Sequence, residues 1–114
     1  MLTIREKVLS VFKDQIGEKF LREEIIGLVV NAYPEIPRSS VVPTDYCYNM
    51  INKGKKFDFH LFESLSLNGG IFRFLGLNYP YTGPIYWKGE QVGSWKKGKY
   101  ELWKDPTKIR SPRY

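Results

Sequence analysis

The stretch Arg38-Ser39-Ser40-Val41-Val42-Pro43-Thr44-Asp45-Tyr46-Cys47-Tyr48-Asn49-Met50-Ile51-Asn52 decides the fold. Ser39 and Ser40 are N-cap residue types, whose hydroxyls satisfy the free N–H groups of a first helical turn. A cap at Ser40 places Pro43 at the third helical position, where a missing N–H costs little. Gly54 then supplies a C-terminal cap. The expectation is a helix reaching about Asn52. It would carry Thr44, Cys47, Tyr48 and Ile51 on one face, and Val42, Asp45, Tyr46 and Asn49 largely on another.

Two more helices precede it. Thr3 and Glu6 form a capping box. Ile4, Val8, Val11 and Phe12 recur on one face, predicting a helix over about Thr3–Gln15 that Gly17 stops. A very short strand is expected at Glu18–Phe20. A second helix is expected over about Arg22–Tyr33, apolar around most of its circumference (Ile25, Ile26, Leu28, Val29, Val30) and therefore central. Tyr33-Pro34 ends it.

After Lys56 the period changes from 3.6 to 2. Phe57–Phe62 alternates, with a bulge possible at Phe62, and Ile71–Leu75 is its partner strand across the turn signal Asn68-Gly69-Gly70. Three helices followed by a hairpin is the order of a winged helix-turn-helix, an α+β fold. The expected organisation is a winged-helix-like core over residues 1–77. An aromatic loop and small β-meander pack on it over 78–105, and a disordered basic tail fills 106–114. The meander strands are expected at Ile85–Lys88, Gln91–Trp95 and Lys99–Trp103.

The chain has 114 residues, 18 Lys and Arg against 12 Asp and Glu, and a net charge of +6. That length allows one core and leaves no room for a catalytic barrel or a full nucleotide-binding sheet. Residues 87–114 hold eight Lys or Arg and three acidic residues, a bias that favours polyanions. Its rival reading is a basic tail that aids solubility only. Cys47, the one cysteine, excludes an internal disulfide and a cysteine-rich zinc site. The N-terminus lacks the pattern of a signal peptide and no run is long enough to span a membrane. An intracellular, cytoplasmic protein is expected. His60 is the only histidine. No phosphate-cradling glycine loop and no base near Cys47 is apparent. Neither catalysis nor a cofactor, metal or small-molecule substrate is expected.

Pro43–Asn49, Asn52-Lys53-Gly54 and Asn78–Tyr86, which reads Asn-Tyr-Pro-Tyr-Thr-Gly-Pro-Ile-Tyr, resemble a poorly characterised bacterial and phage family of winged-helix-type modules. Such modules occur alone or beside nuclease and restriction-type domains. The likeness covers about residues 18–88 and implies a winged-helix fold and, by context, an association with nucleic acid. It carries no established catalytic residue. Leu21 departs from it, standing where such modules tend to have a Ser or Thr cap.

On this reading the partner is duplex DNA. Arg38, Ser39, Ser40, Thr44, Tyr46, Asn49 and Lys53 would present from the third helix, with Asn49 suited to adenine and Arg38 to guanine or phosphate. Arg73 in the hairpin and Lys96, Lys97 and Lys99 in the meander would add backbone contacts. The hairpin tip, Ser66–Gly70, carries no cation. Two alternatives stand beside it. One is an interaction module, as a homodimer or as an adaptor for a nuclease or other phage or host protein. The other is single-strand binding by the Trp- and Lys-rich meander, where rings and charges alternate. The tyrosines of the 78–86 loop suit either base stacking or packing against the core.

Overall fold

The computed structural model describes residues 2–52, 57–66 and 70–104. Two α-helices, α1 (Ile4–Phe12) and α2 (Arg22–Ala32), flank a short strand β1 (Lys19–Leu21). Two 3-10 turns follow at Arg38–Ser40 and Pro43–Tyr46. Then come β2 (Phe62–Ser64), β3 (Ile71–Phe74), β4 (Gly83–Trp87), β5 (Glu90–Lys96) and β6 (Lys99–Leu102). The strands form two antiparallel three-stranded sheets, ordered β1-β3-β2 and β4-β5-β6.

This architecture overturns the winged helix. Among the described residues strand outweighs helix, there are two sheets, and the third α-helix is absent. Val41-Val42-Pro43 explains the loss. Proline pushes the residue before it out of the helical region, and Val42 sits at φ −118°, ψ 95°. The helix that Ser39 and Ser40 would start therefore lasts one 3-10 turn. A second begins at Pro43, and by Cys47 (φ −90°, ψ 142°) the chain is extended. Gly54 and Lys53, the expected end of that helix, and Asn68-Gly69, the expected hairpin turn, lie outside the described residues, as does the 106–114 tail.

The misread segment stitches the two sheets together. The Leu61 N–H donates to the Tyr46 carbonyl (2.7 Å) and the Tyr48 N–H to the Phe62 carbonyl (2.8 Å), attaching the strip to β2. Three residues on, the Tyr86 N–H donates to Asn49 O and the Ile51 N–H to Tyr86 O, both 2.9 Å, attaching it to β4. Extended chain sends successive side chains to opposite sides. Cys47 thus enters one apolar cluster, with Val8, Phe12, Ile25, Val29, Phe62, Phe72 and Phe74. Tyr48 enters another, with Ile51, Phe57, Leu75, Tyr81, Ile85, Val92 and Trp95. Phe74 and Leu75 divide in the same way.

Several local readings match the structure. The Thr3 hydroxyl accepts from the Glu6 N–H (3.2 Å) and the Glu6 carboxylate from the Thr3 N–H (2.9 Å). Helix α1 is shorter than expected, because a Gln15-to-Phe12 turn closes it early. At Leu21 the side chain makes no cap, and the Glu24 carboxylate accepts its N–H at 2.7 Å. Strand β2 starts where the expected strand was to end. Residues 57–61 instead lead Phe57 and Leu61 into the two clusters.

Candidate nucleic-acid interface

The meander contains two hairpins with two-residue turns, Lys88-Gly89 and Lys97-Gly98. In both, the lysine (φ 50° and 51°) and the glycine (φ 79° and 84°) are left-handed, the conformation that matches the twist of the flanking strands. The second turn is anchored. Its Lys97 N–H donates to the Thr82 hydroxyl and its Gly98 N–H to the Tyr81 carbonyl, both at 2.9 Å. A Cβ on Gly98 would lie 3.4 Å from Pro80 Cα, so the turn packs on the 79–82 loop.

That loop is itself held from below. Tyr81 is buried and stacks on Tyr48 at 5.3 Å, and its hydroxyl donates to Glu63 (3.1 Å). Burial and the Glu63 carboxylate push the Tyr81 phenol well above its ordinary value. The Trp95 indole donates to the Tyr48 carbonyl (2.6 Å). The loop therefore divides between its two readings: Tyr81 packs, while Tyr79, edge-on to Tyr48 at 6.4 Å, stays 38% exposed.

On this support sit Lys96, Lys97 and Lys99, all exposed. Lys96 and Lys99 are cross-strand partners, and like charges directly opposite repel. Among the described residues no carboxylate pairs with any of the three. The result is an anchored cationic tip beside a partly exposed tyrosine ring. At the other end of the meander the Lys88 ammonium lies 5.0 Å over the Trp87 ring, and Trp103 is 60% exposed.

The remaining candidates are dispersed and mostly occupied. Arg38 pairs with Glu23 at 2.6 Å and Arg73 with Glu63 at 3.6 Å. The Asn49 amide donates to the Ser64 carbonyl and accepts from the Ser64 N–H, both at 2.8 Å. The two-point pairing expected with adenine is made with the protein's own backbone. Thr44 accepts from the Asn52 amide at 3.4 Å, and Asp45 takes the same amide at 2.6 Å. Tyr46 packs edge-on against Phe59, and burial raises its phenol. Ser39 and Ser40 border an open groove of about 610 Å³ with Arg5, Asp45, Tyr46 and Asp58. Its two carboxylates against one guanidinium suit a polyanion poorly. Lys53 lies outside the described residues.

Sequence reasoning missed Thr82 and Gly98 as anchors and Trp95 as the buried ring. The Lys-Gly pairs signal the turns; nothing local signals what they dock on. Cys47 is buried, and burial pushes its thiol above the ordinary value. No group of three or more His, Cys, Asp or Glu among the described residues could hold a metal. No helix among them is long and apolar enough to cross a membrane.

A family profile, Domain of unknown function (DUF7225), matches residues 3–102. The chain is 37% identical over 107 residues to Uncharacterized protein YnaC of Bacillus subtilis (strain 168). The match takes in 89% of this chain and 40% of that relative, so the chain spans about two-fifths of the relative's length. No solved structure matches it. With the profile running through both sheets, from the capping box of α1 to the end of β6, the chain belongs to the DUF7225 family.

Proposed function

We propose that this chain is a non-catalytic, intracellular nucleic-acid-binding module that holds single-stranded nucleic acid on the β5–β6 hairpin. One observation carries the reading: Lys96, Lys97 and Lys99 have no acidic partner among the described residues and stand on a turn pinned by two of its backbone N–H groups, one to the Thr82 hydroxyl and one to the Tyr81 carbonyl. A pinned turn loses little freedom when an anion arrives, so its charges act at low entropic cost. Tyr79 gives an adjacent ring for an unstacked base. A single strand is favoured over a duplex because the element meant for the major groove is extended chain, and its Asn49 amide is already used. The nuclease context implied by the motif resemblance points to the same ligand class.

Fluorescence anisotropy with a labelled single strand, titrated against salt, tests this. Each phosphate neutralised contributes roughly −0.7 to the log–log slope on single strands. The Lys96→Ala/Lys97→Ala/Lys99→Ala variant flattens the slope by about 2 and weakens binding alike across sequences. Arg38→Ala leaves both unchanged. Absence of binding at low salt, or a triple variant with the slope of the parent, overturns the proposal.

A further inference from the structure

Strand β6 ends its sheet, and among the described residues nothing pairs with its outer edge. The direction of its backbone groups follows from the register. Closure by a two-residue turn makes Lys96 and Lys99 a hydrogen-bonded pair, and antiparallel ladders alternate. Ser94 and Glu101 are then the next hydrogen-bonded pair, with Trp95 and Tyr100 between them as a non-hydrogen-bonded one. The Trp103 N–H donating to Val92 O at 2.8 Å keeps the same alternation. The N–H and C=O of Tyr100 therefore point away from β5, into the open edge.

The side chains along this edge are self-complementary in charge. In Lys99-Tyr100-Glu101 the two ions flank the tyrosine symmetrically and share the outward face of the sheet, and among the described residues neither has an ion-pair partner. We infer that β6 pairs antiparallel with β6 of a second copy of this chain, about a two-fold axis at Tyr100. The two Tyr100 residues exchange both backbone hydrogen bonds, and Lys99 of each copy faces Glu101 of the other.

The two three-stranded sheets become one of six strands, and two open edges disappear. A lysine on an edge strand ordinarily blocks indiscriminate pairing. Here it blocks every register except the one that meets a carboxylate, and that carboxylate also relieves the Lys96–Lys99 repulsion. Lys96 on β5 and Lys97 in the turn stay outside the paired stretch, so the dimer leaves two cations on each hairpin tip for a nucleic acid.

Sedimentation velocity over a wide concentration range tests the pairing, with circular dichroism checking that each variant is folded. The parent mass rises from 13.4 kDa toward twice that value with concentration. Lys99→Glu and Glu101→Lys each place like charges across both ends of the pairing and stay at the monomer mass. The double variant Lys99→Glu/Glu101→Lys recovers self-association, and so does an equimolar mixture of the two single variants, now as a heterodimer. A parent that stays monomeric throughout overturns the inference. So do single reversals that associate like the parent, or a double variant and a mixture that both remain monomeric.

Discussion

The turns Lys88-Gly89 and Lys97-Gly98 have the same sequence and nearly the same φ angles, yet they are different objects. A Cβ added at Gly89 would meet nothing within 4 Å, whereas one at Gly98 would touch the 79–82 loop. The first turn only reverses the chain, and its lysine lies back over its own Trp87 ring. The second is bonded to a loop that is bonded to the core, and its lysines project. A local motif sets the shape of a turn; its tertiary anchorage decides whether the backbone that carries the charges is fixed to the rest of the fold.

The largest effect expected on this contrast comes from Gly93→Ala. Gly93 pairs with Leu102, and a Cβ there would run into the Glu101 carbonyl and the Leu102 side chain. Overpacking of this kind costs about 1–3 kcal/mol, and backbone is a poor candidate to yield. The substitution pries β6 from β5 and releases the Lys97-Gly98 turn while sparing Lys88-Gly89. Urea unfolding reads the cost. Amide exchange reads its location, with protection lost at residues 97–102 first.

Acid is expected to act next, and again on the anchored end. The His60 ring lies among Phe57 (4.2 Å), Trp95 (5.1 Å), Tyr48 (5.3 Å) and Tyr100 (6.0 Å). Its Nδ1 is 3.2 Å from the Cys47 carbonyl, and its Nε2 is buried with no hydrogen-bond partner among the described residues. Burial holds its pKa below the ordinary imidazole value of 6.5, outweighing the Cys47 carbonyl and the Asp58 carboxylate, which act the other way. The unfolded chain therefore binds the proton first. Stability is level above pH ~6.5 and falls as pH drops below it, by no more than about 1.4 kcal/mol per pH unit for one proton. Thermal melts between pH 7 and 5 show the decline in the parent, and its His60 share is absent in His60→Gln.

The smallest effect is the most discriminating. Lysine is an uncommon residue at a left-handed position, and asparagine is at ease there. Lys88→Asn and Lys97→Asn each stabilise the fold by at most about 1 kcal/mol. Only Lys97→Asn weakens nucleic-acid binding, because only that lysine stands on the anchored turn beside Lys96 and Lys99. Equal losses of affinity from the two variants would erase the distinction between the turns.

The capping box at Thr3, the dipeptides Lys88-Gly89 and Lys97-Gly98, and the proline after Tyr33 were legible because each acts through neighbours in sequence. The segment 46–51 was not. Buried on both sides in different clusters, it shows neither the alternation of a half-exposed strand nor a helical stripe. Its best local signal was Val42-Pro43, which outweighed two good serine caps. The three lysines of the candidate interface could be read from composition. That Arg38, Arg73 and Asn49 are already engaged depends on Glu23, Glu63 and Ser64, 15, 10 and 15 positions away, and no spacing rule reaches them.

The strip between the sheets also makes the two halves unequal in synthesis. Every buried member of the first cluster lies at or before Phe74, so a ribosome that has released residue 76 has released that core complete. The second cluster takes Tyr48, Ile51 and Phe57 from chain made long before the meander. The meander is thus a late arrival that finishes on a template already in place. Its surface can diversify from one family member to the next without the earlier core having to be refolded around each change.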